Sequence, residues 1–227
     1  MGRYKIIVLM SSMLFVFSNS GMAQFSLGGG VSTFHGLNLP IHRIGFNMFG
    51  EFPRTPNNTF TLRAAYMFPK KYERTTEVSG KDGIVPSKVQ AIETAKTTYF
   101  AIDGGTRYYF INDYDIGIAM YAGGYLKGIL SSYSSKYRMP GSLKVDDYET
   151  NDYPPQPLTS LKPMYSILFS FGGGLGVKFQ VPAMRGAITF DVGAEIVSRL
   201  MDPYAILGND ISPISFNMNL AYRFDWY

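Results

Sequence analysis

The sequence predicts an all-β fold, an eight-stranded antiparallel up-and-down transmembrane β-barrel with short periplasmic turns and long extracellular loops. Three observations support this prediction. Segments of alternating apolar and polar residues recur along the chain, and the connections between them alternate between short and long. The composition is rich in aromatic residues (15%) and poor in charged residues (17%). An average soluble domain has about 25% charged residues, so an ordinary water-facing surface is not expected.

The last 14 or so residues, 214–227, show the alternation most clearly. Every second side chain is apolar, and small or polar side chains stand between them. Successive side chains of a strand point to opposite faces, so this strand has one apolar and one polar face. It is longer than the usual strand of about five or six residues. A tilted strand crosses a bilayer with about 9–11 residues, and this segment is long enough to do so.

Residues 1–23 are predicted to be a secretory signal peptide. Arg3 and Lys5 provide a basic start, and residues 6–17 form an apolar core that is too short for a spanning helix of about 20 residues. A retained anchor helix is the alternative. The barrel then comprises residues 24–227. Two of the basic residues that contribute to the formal net charge of +4 belong to the predicted signal peptide. The net charge therefore does not indicate nucleic-acid binding.

Seven further strands are predicted between the signal peptide and the last strand. They cover residues 25–33, 44–52, 59–68, 97–110, 116–131, 164–179 and 187–198. The three connections rich in Pro, Asn or Asp are short, at residues 53–58, 111–115 and 180–186. The other four connections are medium or long, at residues 34–42, 69–96, 132–162 and 199–213.

An even number of strands with short turns at one end and long loops at the other is typical of bacterial outer-membrane barrels. This pattern places both termini in the periplasm. A soluble barrel or sandwich would not need all its long loops at one end, but it remains the main alternative. The predicted location is therefore the bacterial outer membrane.

The signal peptide, the eight amphipathic strands and the aromatic end together resemble the outer-membrane β-barrel proteins of the Bacteroidota. In shape they are similar to OmpA- and OmpX-type barrels. In such families the last strand ends in an aromatic residue that the barrel-insertion machinery recognises. The resemblance implies this role for Phe224, Trp226 or Tyr227. Trp226 is in phase with the apolar face of the strand, and Tyr227 is not.

The inward face of an eight-stranded barrel is expected to be filled by side chains, because the interior is only wide enough to hold them. Charged residues on the polar faces are balanced in sign. Buried charges must be paired and hydrogen-bonded, so a lumen ion-pair network is predicted. Its members are Glu51, Arg63, Asp103, Arg107, Lys127, Lys178, Asp191, Glu195, Arg223 and Asp225.

No residue pattern requires catalysis, a metal or a cofactor. The chain has no cysteine and only two histidines, His35 and His42. Ser32 and the acids Asp202 and Asp210 are conceivable partners for them, but no spacing forces these residues together. The expected protein is not an enzyme. A lipid-modifying enzyme and a narrow channel stay open as alternatives.

The long polar stretches suggest a role in interaction. Residues 69–96 carry several lysines, and basic residues just outside a bilayer suit anionic lipopolysaccharide. Residues 132–162 are rich in tyrosine, which combines apolar area with a polar tip and suits contact with another protein. The expected function is structural or interactive, as a subunit of a cell-envelope complex.

Overall fold

The barrel is seen in a computed structural model. The structure describes residues 25–37, 42–151, 154–158, 160–201 and 212–226, except for the side chains of residues 161 and 199–201. The predicted signal peptide at residues 1–23 lies outside the described residues, as do Asp202, Asp210 and Tyr227. No helix among the described residues is long and apolar enough to cross a membrane.

The described residues form nine antiparallel strands. They are β1 (Phe25–Gly36), β2 (His42–Thr55), β3 (Asn58–Gly80), β4 (Lys88–Ile111), β5 (Ile118–Arg138), β6 (Tyr148–Thr150), β7 (Leu161–Val181), β8 (Gly186–Met201) and β9 (Ile214–Trp226). Eight of them close into a ring in the order β2-β1-β9-β8-β7-β5-β4-β3, and β3 pairs again with β2. Strand β6 is short and pairs with the tip of β3. The predicted eight-stranded up-and-down barrel is confirmed.

The two ends of the barrel differ. The connections around residues 56–57, 112–117 and 182–185 are short, and we call this the turn end. At the opposite end, β3, β4, β5 and β7 continue past the ring to lengths of 21 to 24 residues. We call this the hairpin end.

The prediction of long loops at residues 69–96 and 132–162 is wrong in its secondary structure. Most of residues 69–96 belong to β3 and β4, which pair through to Ser79 and Lys88. Strand β5 likewise runs on to Arg138. Sequence reasoning ended these strands where their apolar alternation ended, but pairing continues through polar residues because it joins backbone groups and does not need an apolar face.

The distribution of polar and apolar side chains is the reverse of that in a soluble protein. Large apolar side chains cover the outer wall, among them Leu126, Met48 and Leu175 with 72%, 68% and 61% of their surface exposed. Charged side chains such as Glu51 and Arg223 are fully buried inside. Exposed apolar area of this extent is unfavourable in water. The outer wall therefore suits the hydrocarbon of a bilayer.

Beyond the ring, the paired strands β3, β4 and β5 form a sheet that we call the extension. Residues 139–151 and 154–158 fold against one of its faces and bury a small apolar core. The members of this core are Val78, Ala91, Met139, Tyr148 and Leu158. At the base of the extension, Tyr133 donates a hydrogen bond to Glu93 (3.3 Å), and burial together with the Glu93 charge raises the pKa of Tyr133 to about 12. The extension is thus a folded unit with a core of its own.

Glycines on the inner face make room for aromatic rings. A Cβ added at Gly176 would lie 2.3 Å from Cζ of Tyr121, and one at Gly28 would lie 2.4 Å from the ring of Phe49. These distances are far inside van der Waals contact. Gly28 and Gly176 are therefore explained by the packing of rings in the lumen, whereas a Cβ at Gly30 or Gly174 would meet the backbone of the neighbouring strand.

Candidate functional site in the barrel lumen

Glu51 lies at the centre of the charged side chains near the turn end. Its Oε2 is 3.1 Å from Arg107 Nη1 and 3.2 Å from Arg223 Nη1. Its Oε1 accepts hydrogen bonds from Thr59 Oγ1 (2.7 Å) and Tyr109 OH (2.8 Å). A fully buried carboxylate is costly unless it is paired and hydrogen-bonded. Both conditions hold for Glu51.

Asp191 extends this arrangement toward the middle of the barrel. Its Oδ2 is 3.1 Å from Arg107 Nη2 and 3.2 Å from Arg63 Nη2. The Tyr121 hydroxyl donates a hydrogen bond to its Oδ1 at 2.6 Å. Arg107 therefore bridges Asp191 and Glu51.

Asp225 extends this arrangement of charged side chains toward the turn end. Its Oδ1 lies 2.7 Å from Arg223 Nε, an ion pair in which Nε is not aligned for a hydrogen bond. Ser26 Oγ donates to Oδ1 and Gln180 Nε2 to Oδ2, both at 2.7 Å. Six predicted network residues are thus joined into one group, which we call the ion cluster: Glu51, Arg63, Arg107, Asp191, Arg223 and Asp225.

The turn at residues 112–117 folds under the ion cluster and brings Tyr114 into the barrel. The Tyr114 hydroxyl is hydrogen-bonded to Ser26, and its carbonyl oxygen accepts a hydrogen bond from Lys178 Nζ. The Arg223 guanidinium lies 4.2 Å from the centroid of the Tyr114 ring. The turn end of the lumen is therefore packed with side chains.

The remaining four network residues lie outside the ion cluster. Lys127 forms a separate ion pair with Glu195. Lys178 donates to the Tyr114 carbonyl and has no ion pair with any described residue. Asp103 is buried, but it has neither an ion pair nor a hydrogen bond within the described part of the chain. The structure therefore divides the predicted network into several parts.

Sequence reasoning missed three inward side chains. Arg43 is buried, donates to the Thr97 carbonyl (3.0 Å) and lies over the Tyr99 ring. The alternation of β2 places Arg43 inward, but the strand was predicted to begin one residue later. The alternation of β4 likewise places the Tyr109 side chain inward. Tyr114 could not be found from alternation, because it enters the lumen from a turn.

The hairpin half of the lumen contains an open cavity that no sequence pattern predicted. It encloses about 530 Å³ outside protein atoms, a figure that includes open solvent. Its apolar walls are Phe34, Ala65, Met67, Ala101 and Ile129. Arg63, Asp103 and Lys127 also line it, beside Ser32, Asn217 and Asn219. A second cavity of about 400 Å³ shares Arg63 and Asp103 and lies toward the turn end. The predicted filling of the lumen by side chains thus describes the part of the turn end around Glu51, Tyr109 and Tyr114, and not the hairpin half.

The two histidines lie together on the rim. His35 Nδ1 and His42 Nδ1 are 2.5 Å apart, and the two residues are cross-strand partners. Ser32, by contrast, is buried in the lumen, where it bonds to Asn219 and Asn47. Among the described residues, no group of three or more acidic or histidine side chains could hold a metal ion.

A row of aromatic rings lies across β9, β1 and β2 at the turn end of the outer wall. Trp226 stacks on Phe25 with ring centroids 6.1 Å apart, and Phe224 lies edge-on to Trp226 at 5.9 Å. Phe25 in turn stacks near Phe52 at 6.5 Å. Aromatic girdles of this kind border the apolar band of transmembrane barrels.

The chain matches no protein-family model and no curated protein. Several solved structures are similar to it. The attachment invasion locus protein Ail of Yersinia pestis, in complex with the heparin analogue sucrose octasulfate, is 12% identical over 88% of this chain and 98% of that chain, with a TM-score of 0.46. Neisserial surface protein A is 12% identical over 89% and 96%, with a TM-score of 0.47. A major outer membrane protein from Thermus thermophilus is 12% identical over 90% and 100%, with a TM-score of 0.48. No role is transferred from these structures, because the identities are too low.

Proposed function

We propose that this protein is a non-enzymatic outer-membrane barrel that holds a folded β-sheet outside the membrane for interaction with other envelope components. The observation that carries this proposal is the extension. Strands β3, β4 and β5 leave an apolar-walled ring and continue as a polar sheet with its own small core. An ordered surface binds a partner with less loss of conformational entropy than a free loop does.

The outward face of the extension carries bases directly above the apolar wall. Lys71 and Lys96 are cross-strand partners, and Lys136 lies on the next strand, opposite Thr94. Like charges placed directly opposite each other are destabilising. None of the three lysines has an ion pair with a described carboxylate. Anionic lipopolysaccharide at the membrane surface is the partner whose charge would relieve this repulsion.

The assignment of a non-enzymatic role rests on the separation of the reactive side chains. The His35 ring is bonded to His42 on the rim, whereas Ser32 lies inside the lumen. Replacing His35 with Ala should leave the lipid composition of the outer membrane unchanged. A change in lipid A acylation in that variant would indicate an enzyme.

Insertion by the barrel-assembly machinery is proposed for the last strand. Phe224 and Trp226 lie on the outer wall of β9, with 39% and 58% of their surface exposed. Truncation after Ala221 should therefore prevent assembly in cells. The F224A and W226A single variants would show which ring is needed, measured as the heat-modifiable band in outer membranes.

The transmembrane placement can be tested with a matched pair of charged substitutions. Leu126 is on the outer wall of the ring, and Val85 is at the tip of the extension with 87% of its surface exposed. Arginine near the middle of a bilayer costs about 2–4 kcal/mol on a barrel wall. L126R should lose that much folding stability in lipid vesicles, and V85R should match the unmodified protein. Equal stability of the two variants would contradict a lipid-facing wall.

The interaction role is tested by cross-linking, because a chain without cysteine gives clean single-cysteine variants. Ser134 pairs with Lys96 on the extension, and Arg185 lies in a turn at the opposite end. A photo-cross-linker at S134C should capture lipopolysaccharide or an envelope protein on intact cells. The same probe at R185C is the control. Identical products from both sites would argue against the extension as the interaction surface.

A further inference from the structure

We propose that the cavity in the hairpin half of the lumen binds a small organic ammonium compound. The ammonium group would bind the Asp103 carboxylate, and the apolar body would pack against the cavity walls. This site lies inside the barrel, so it is independent of the interaction surface on the extension.

Asp103 is placed to take a cation. Its relative exposure is 6%, and it lines both lumen cavities. It is the cross-strand partner of Arg63 on β3 and of Lys127 on β5. Yet Arg63 reaches Asp191 at 3.2 Å, and Lys127 pairs with Glu195. No described residue gives Asp103 an ion pair or a hydrogen bond.

The two bases beside Asp103 form their ion pairs with other acids. In the ion cluster, three arginines face three carboxylates, which balances that group. Lys127 and Glu195 balance each other. A carboxylate held out of water without a partner is costly. A ligand with a positive charge and N–H donors supplies the missing partner, since charge-assisted hydrogen bonds are the strong ones.

The other walls of the cavity suit an apolar body. Phe34 and Tyr99 meet edge-on with centroids 6.2 Å apart, and Met67 and Ile129 join the same buried apolar cluster. Ligand pockets commonly combine apolar walls with a few polar groups. This cavity has the same combination, because Arg63, Asp103 and Lys127 line it beside the apolar side chains. A bare inorganic cation would leave these walls unused.

Benzylamine is a suitable probe, because it is protonated at neutral pH and combines one ring with one ammonium group. Benzyl alcohol is its neutral counterpart of similar shape. The full barrel in lipid nanodiscs, labelled with ¹³C at methionine methyls, is titrated with each compound. Met67 lines the cavity and reports binding, and its signal is assigned with M67L. Met48, on the outer wall, reports partition into lipid.

The Met67 signal should shift saturably with benzylamine. The affinity for benzyl alcohol should be lower by about tenfold or more, because this is the preference expected of one charge-assisted hydrogen bond. In D103N this preference should disappear, whereas D82N, which removes an exposed acid, should retain it. A101L places three further carbons in the cavity and should abolish the saturable shift in a barrel that still shows the heat-modifiable band. It serves as the second variant if D103N does not fold.

Three results would overturn the proposal. They are an equal affinity of the unmodified barrel for the two compounds, a preference for the amine that survives in D103N, and a shift of Met67 that follows Met48 without saturating. The last result would mean partition into lipid only.

Discussion

Side chains occupy the two halves of the lumen in different ways. At the turn end, charged side chains and tyrosines fill the interior around Glu51 and Tyr114, and the turn at residues 112–117 covers this end of the lumen. In the hairpin half, small side chains such as Ala65 and Ala101 leave a cavity with apolar walls. A barrel of eight strands can therefore be both a packed core and a pocket. The difference lies in which side chains occupy equivalent inward positions of the same strands.

This contrast implies a division of roles within one barrel. Dense packing and paired charges at the turn end contribute stability, because buried polar groups are stable only when they have partners. The hairpin half contributes less packing and leaves Asp103 without a partner among the described residues. A site that is kept open at a cost to packing is more readily explained by function than by stability.

The largest effect is expected from removing the central acid of the turn end. E51A leaves Arg107 and Arg223 buried with an uncompensated positive charge and removes two hydrogen bonds. Breaking a buried ion pair by removal of one partner costs about 3–5 kcal/mol. The free energy of unfolding in lipid vesicles, measured by urea titration with the heat-modifiable band as readout, should fall by this amount.

Glu73 provides the control for this prediction. It is exposed on the extension and has no ion pair within the described residues, so E73A should unfold like the unmodified protein. If E51A were as stable as E73A, the ion cluster would contribute nothing to the fold, and the two halves of the lumen would not differ in the proposed way.

Alternation along the sequence was sufficient to predict the eight strands and the inward direction of the charges, because the period of two is a property of every strand. Alternation does not determine which inward side chains pair. Arg63 and Lys127 both neighbour Asp103, yet each turns to an acid on a more distant strand. Alternation also does not predict the position of Tyr114, which enters the lumen from a turn. Nor does it predict a cavity, because a cavity depends on side-chain volumes summed across several strands.

A smaller effect is expected from enlarging a side chain at the turn end. Ala119 is fully buried in a cluster with Tyr109, Tyr114 and Tyr121. A119L has no space there, and overpacking of a filled interior costs about 1–3 kcal/mol. The same urea titration should show this loss. G128A is a suitable control, because a Cβ at Gly128 would meet no atom within 4 Å.

The smallest effect is expected when the same enlargement is made in the hairpin half. Ala101 is buried like Ala119, but it borders the cavity of about 530 Å³. The added carbons of A101L would enter empty space and bury apolar area, so the unfolding free energy should change by less than about 0.5 kcal/mol or rise slightly. The quantity that decides the comparison is the difference between A119L and A101L, because both variants add the same atoms to a buried alanine of one barrel. If A101L destabilised the barrel as much as A119L, the hairpin half would be as tightly packed as the turn end and could not admit a ligand.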